Sequence, residues 1–138
     1  MERRDYLLRE IEKIGMMLAM IINRIVGNKD SYAISLEKQF EAEREVLLNE
    51  IGFDMQLFLS LEKAEIEPYI SRFEGIKSAN IELLADLMKE IGMLAEPVMK
   101  LECLEKALNL YELSTVLDKS FSMDRESKIK EIKKELSL

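Results

Sequence analysis

The chain reads as an all-α protein, a helical bundle or array of α-α hairpins with about five to seven helices. Three observations predict this. Apolar residues recur at three- and four-residue spacing almost throughout, the period of one helix face. Leu, Ile, Glu, Lys and Met dominate, and most of these are good helix formers. Only 5 Gly and 2 Pro stand among 138 residues, and no stretch alternates as a strand would between turns.

The first predicted helix covers residues 4–26. Leu7, Ile11, Ile14, Leu18, Ile21 and Ile25 follow a 4-3-4-3-4 spacing, an a/d seam of about three heptads. Met16, Met17, Met20, Ile22 and Val26 add apolar surface beyond it, so this helix needs cover on more than one side. Gly27-Asn28 is the predicted stop. A second helix is expected to start after Asp30 or Ser31, both good N-caps, and to run to about residue 50. Its first half carries Ala33, Ile34, Leu36 and Phe40, its middle is polar, and Val46, Leu47, Leu48 and Ile51 return it to the core before Gly52 ends it.

Residues 53–76 look less regular. Asp54 is placed to cap a short helix reaching Leu61, and Pro68 suits the first turn of another that ends near Phe73. A third long helix is expected over 79–95, with Ile81, Leu84, Leu87, Met88, Ile91 and Leu94 as its stripe. Pro97 then opens a fourth, running to about Lys119, with Leu101, Leu104, Leu108, Tyr111 and Val116 on one side. A last helix follows Ser122 or Asp124, with Ile129, Ile132 and Leu136 inward and Lys128, Lys130, Lys133 and Lys134 in water. The length fits one domain: an N-terminal helical pair (1–52), short helices (53–76), and a hairpin with a C-terminal helix (77–138).

Part of this pattern resembles a known repeat. Leu84-Ala85 with Met88, then Leu104 with Ala107-Leu108-Asn109-Leu110, is similar to a tetratricopeptide-type hairpin, whose small residues let two helices pack closely. The match covers roughly residues 78–113. Its connection around Glu96-Pro97 is about three residues longer than that family's, the early aromatic is replaced around Asn80 or Ile81, and no second copy follows. The resemblance therefore implies hairpin geometry and not a peptide groove. The opening Asp5-Tyr6-Leu7-Leu8-Arg9-Glu10-Ile11-Glu12-Lys13-Ile14 and the closing Lys119-Ser120-Phe121-Ser122-Met123-Asp124-Arg125 resemble a family of uncharacterised small bacterial all-helical proteins. That resemblance implies a fold and no activity.

Several chemistries lack their residues. The chain has no histidine, which removes Ser-His-Asp and Cys-His catalysis, the His ligands of di-iron bundles and His-containing zinc sites. One cysteine, Cys103, makes neither an intrachain disulfide nor an all-Cys metal site. The glycines stand alone, with no phosphate-binding loop, and read as helix stops or packing notches. We therefore expect no catalytic, cofactor or metal residues. A carboxylate-only site needs two carboxyls in a cleft; Glu41, Glu43 and Glu45 spread around their helix, and Asp86 and Glu90 share a face better read as solvated. Cys103, with Lys100 and Lys106 nearby, reads as a structural cysteine.

The net charge of −7 is wrong for a nucleic-acid partner. Residues 118–138 carry 6 basic and 5 acidic side chains, net +1, which is no basic arm; i,i+4 pairs are expected to solvate that face. The most apolar stretch, 14–22, is far too short to span a bilayer, no signal-peptide pattern precedes it, and the expected setting is cytoplasmic. The Met16, Met17 and Met20 cluster reads as core packing or as an adaptable binding surface. The leading expectation is a non-enzymatic interaction or scaffold protein, with Leu7, Ile11, Ile14, Met17, Leu18, Ile21 and Ile25 as candidate interface to a protein partner or to a second copy. A membrane-peripheral role for the first helix and a carboxylate or tyrosine-based small-ligand protein are the alternatives.

Overall fold

The computed structural model describes residues 2–28 and 35–137, and only the backbone of Ser78. Among them stand seven helices and no strand: α1 (Glu2–Asn28), α2 (Leu36–Ile51), α3 (Met55–Ser60), α4 (Lys63–Ile70), α5 (Ser78–Leu94), α6 (Pro97–Asp118) and α7 (Met123–Glu135). The architecture is an all-α helical bundle.

Each boundary has a local cause. α1 runs through Gly27 and Asn28, so the expected stop falls inside its last turn. The proposed caps Asp30 and Ser31, with Ala33 and Ile34, lie outside the described residues; α2 begins instead after Ser35, whose hydroxyl accepts from the Lys38 N–H. Gly52 closes α2 with φ 74°, a left-handed conformation that glycine adopts without strain. Asp54 caps α3 by accepting from the Leu57 N–H. α4 departs from expectation: its start is a reciprocal capping box between Glu62 and Glu65, which leaves Pro68 inside the helix and not in its first turn. Pro97 opens α6, Lys119 ends it, and Ser122 caps α7.

The α5–α6 hairpin is the centre of the packing, and α1 lies along α5. Leu84, Ala85, Leu87, Met88 and Ile91 meet Cys103, Leu104, Ala107, Leu110 and Tyr111, all buried. Gly92 permits the close crossing: a Cβ there would stand 2.7 Å from Leu104 Cδ2 and 3.2 Å from Cys103 Cβ. The buried face of α6 differs from the expected stripe. Leu101 and Val116 are exposed and Leu108 is half-buried, while Cys103, Ala107, Leu110 and Ser114 are inside.

α1 contributes Ile14, Leu18, Ile21 and Ile25, all buried. Each adds about 2 kcal/mol by transfer from water. Asn80 locks the contact, donating both amide hydrogens, to Ile11 O at 2.9 Å and Gly75 O at 2.7 Å. Gly15 leaves room for that side chain; a Cβ there would lie 2.8 Å from Asn80 Oδ1. Arg24 grips Glu43 of α2 through two hydrogen bonds of 2.9 and 2.8 Å. Glu43 is thus buried and paired, where a solvated position was expected, while Glu41 and Glu45 are exposed. Under α3 and α4, the Phe53 ring centre lies 5.3 Å from Phe58 and 5.5 Å from both Tyr69 and Phe73. The Tyr69 hydroxyl accepts from the Asp54 N–H at 2.9 Å.

Candidate functional site

The four residues between α6 and α7 form a turn held from both ends. Lys119 takes a left-handed conformation, φ 57°, and its N–H returns to Thr115 O at 3.1 Å. Three residues on, the Ser122 hydroxyl accepts from the Arg125 N–H at 3.2 Å. The Arg125 side chain, 6 % exposed, then gathers the surroundings. Its Nε donates to Glu82 on α5 and its Nη2 to Asp118 on α6, each at 2.9 Å. Its Nη1 approaches Thr115 Oγ1 at 3.4 Å and the Ser120 carbonyl at 3.5 Å. Ser120 Oγ donates to the same Asp118 oxygen at 2.8 Å.

The electrostatics follow this geometry. The hydrogen bond that it donates to Asp118 holds the Arg125 guanidinium above its ordinary value against the opposing effect of burial, and Glu82 adds to it. Hydrogen bonds from Arg125 and Ser120 hold Asp118 below the usual carboxylate range.

A second cation continues the network one turn along. Lys128 Nζ lies 2.9 Å from Asp86, 3.1 Å from Asp124 and 3.6 Å from Glu82, and 5.8 Å from the centre of the Tyr111 ring. Burial disfavours its charge, but the hydrogen bonds to Asp86 and Asp124 outweigh that and raise it. Tyr111 is fully buried and donates its hydroxyl to Asp86; burial first, and then Asp86, push that hydroxyl upward. Lys89–Glu131 at 3.1 Å and Lys100–Glu135 at 2.7 Å pin the rest of α7. Arg125 and Lys128 of α7 thus bind across helices, Lys128 along its own helix as well, and Lys128 and Asp86 are engaged where solvated positions were expected.

Chemically, this cluster is a clamp. Both of its cations face carboxylates, and its buried hydroxyl is committed to one of them. Among the described residues no group of His, Cys, Asp or Glu is arranged to hold a metal ion. Cys103 is fully buried, its thiol pushed up to about 12 by burial and Glu102, against Lys106; at neutral pH it is protonated. A concavity of about 510 Å³ between the start of α2 and the α5–α6 connection is walled by Leu36, Phe40, Leu94 and Met99 with Glu41 and Arg44.

What the clamp presents is apolar. Phe121 and Met123, on and beside the pinned turn, are 75 % and 78 % exposed; Val116 and Leu117 near the end of α6 are 68 % and 49 % exposed, Val116 in a groove that it lines with Lys63, Ile66 and Glu67 of α4. None of them was singled out by helical periodicity as surface. The seven first-helix residues expected as an interface lie elsewhere: Ile14, Leu18, Ile21 and Ile25 are buried in the chain's own core, and Leu7, Ile11 and Met17 are half-buried. Met16 and Met20 are exposed on the opposite side of α1, so the core reading of that cluster holds for Met17 alone. The available signal for the turn was two large apolar residues flanking an N-cap serine, within the closing stretch of the family resemblance. No helix among the described residues is long and apolar enough to cross a membrane. No protein-family model, curated protein or solved structure gives a match to this chain.

Proposed function

We propose that this chain is a non-enzymatic protein-interaction module, a small helical scaffold that presents the α6–α7 corner to a protein partner. The observation that carries the reading is the combination at that corner. Phe121 and Met123 stand in water at a turn that Arg125 ties down through the Ser120 carbonyl and Asp118, and that the Ser122 cap closes. A surface already held in its binding conformation loses little entropy on association, and neighbouring exposed apolar residues mark interaction sites.

The α5–α6 hairpin fits the tetratricopeptide-like reading, since Leu84, Ala85, Met88, Leu104, Ala107 and Leu110 are all buried at the crossing. In this reading the hairpin serves as the rigid mount for the corner. The membrane and carboxylate-enzyme alternatives draw no support from the geometry. The seam that motivated the first is largely turned inward, and the clustered carboxylates of α5 hold Arg125 and Lys128.

The test compares Phe121→Asp with wild type in affinity capture from native cytosol, with circular dichroism as the control. We expect an unchanged fold, because Phe121 is exposed, and loss of specifically captured protein. An identical captured set for both proteins would overturn the assignment of the corner.

A further inference from the structure

The corner continues into the solvent face of α7. Met123, Ser127, Lys130 and Lys134 follow one another at spacings of 4, 3 and 4, with Lys133 beside them, and all are exposed. Lys130, Lys133 and Lys134 take part in no ion pair among the described residues. The stripe is therefore apolar at its N-terminal end and positive farther along.

The same molecule carries the complement. Along the outside of α2, read from its C-terminal end, Leu48 is followed by Glu45, Glu41 and Glu37, all exposed and without an ion partner among the described residues. Leu48 to Glu41 is the same seven-residue step as Met123 to Lys130, and Leu48 to Glu37 the same eleven-residue step as Met123 to Lys134. At 1.5 Å rise per residue, two antiparallel helices with Met123 against Leu48 bring these lysines opposite these glutamates about 10 and 16 Å along. Beside Leu48, a cavity of about 220 Å³ lies between α2 and α3, lined among others by Glu45, Asp54, Met55 and Gln56.

We propose that the α6–α7 corner and outer α7 face of one copy dock antiparallel on the α2–α3 face of a second copy. This rests on the reading of the corner as a recognition surface and names its occupant. The two faces differ, so the contact is heterologous: each copy of a pair keeps one unused face, the pair therefore presents one of each kind, and association continues head to tail until a ring closes or the chain grows. The exposed lysine–glutamate pairs make it sensitive to salt.

Sedimentation velocity on the full chain tests this. The expected result is a mass at the 16.1 kDa monomer in dilute solution that rises with concentration and returns to monomer in molar salt. Lys130→Glu with Lys134→Glu, and separately Glu37→Lys with Glu41→Lys, should each weaken association about tenfold or more, since like charges then meet. Mixing the two reversed proteins should restore it, because each then meets its opposite charge. All four positions are exposed, so circular dichroism should show both variants folded. A strict monomer at every concentration, or association untouched by either reversal, would overturn self-docking. A monomer that still captures protein through Phe121 would leave the broader reading standing, so the two failures are distinguishable.

Discussion

Removing either partner of the Arg24–Glu43 pair should cost different amounts, and the structure fixes the order. The side chains are 43 % and 5 % exposed respectively. In Arg24→Ala the Glu43 carboxylate stays between α1 and α2 without its two hydrogen bonds. Stranding a buried charge in this way costs about 3–5 kcal/mol when burial is complete; because one side of this pair is half in water, we expect about 2–3 kcal/mol. In Glu43→Ala the guanidinium swings into solvent and recovers hydration, leaving a loss of about 1 kcal/mol. For a domain of this size 1 kcal/mol moves Tm by about 3 °C, so the expected falls are about 6–9 °C and about 3 °C. The double variant should lie close to Glu43→Ala alone, since the stranded charge has gone. Thermal melts followed at 222 nm, with urea titrations for the free energies, measure all three. Equal losses, or a larger one for Glu43→Ala, would refute the reasoning that desolvation governs this pair.

Other outcomes follow from the same geometry. Gly92→Val should destabilise by about 1–3 kcal/mol through overpacking against Leu104, read by urea midpoint. Gly27→Ala, where a Cβ meets nothing within 4 Å, should instead stabilise α1 by up to about 1 kcal/mol. Cys103, buried and with its thiol pushed up to about 12, should resist a thiol-reactive chromophore at pH 8 and react once in denaturant; rapid native labelling would contradict its place in the α5–α6 crossing. Tyr111 is an acid raised in the folded state above its unfolded value of about 10. Its contribution to stability is therefore present below about pH 10 and is lost as pH rises above that. Tyrosinate absorbance should show its ionisation appearing only with unfolding, and Tyr111→Phe should remove that feature.

The helices were legible because their causes are local. The α1 seam, the Asp54, Gly52 and Ser122 caps and the Pro97 start depend on residues within a turn of each other. The α4 start escaped because its cap is Glu62, a poor N-cap type made effective only by Glu65 reaching back. The rest needed partners distant in sequence. Glu43 alternates with Glu41 and Glu45 in composition and differs only in having Arg24 across from it. Asp86 reads as a surface acid until α7 brings Lys128 to it. Periodicity also places apolar residues on a face without saying which face meets the protein, so it puts Leu101 and Val116 on the α6 stripe although both are exposed, and it leaves Met16 and Met20 readable as core or surface alike. The candidate corner lies in a turn, where there is no period to read.

The seating of α1 on α5 sets a delay during synthesis. The seam residues of α1 are complete when Asn28 has been added, but their seat is not finished until Leu94, about 66 residues later. At 5–20 residues per second this leaves the most apolar helix face without its cover for roughly 3–13 s. The hairpin that receives it joins neighbours in sequence and closes quickly, whereas α1 must wait for a contact spanning the 69 residues from Ile11 to Asn80. α1, made well before its seat, is therefore among the last of these helices to find its place, and in that interval its seam is the surface a chaperone would meet.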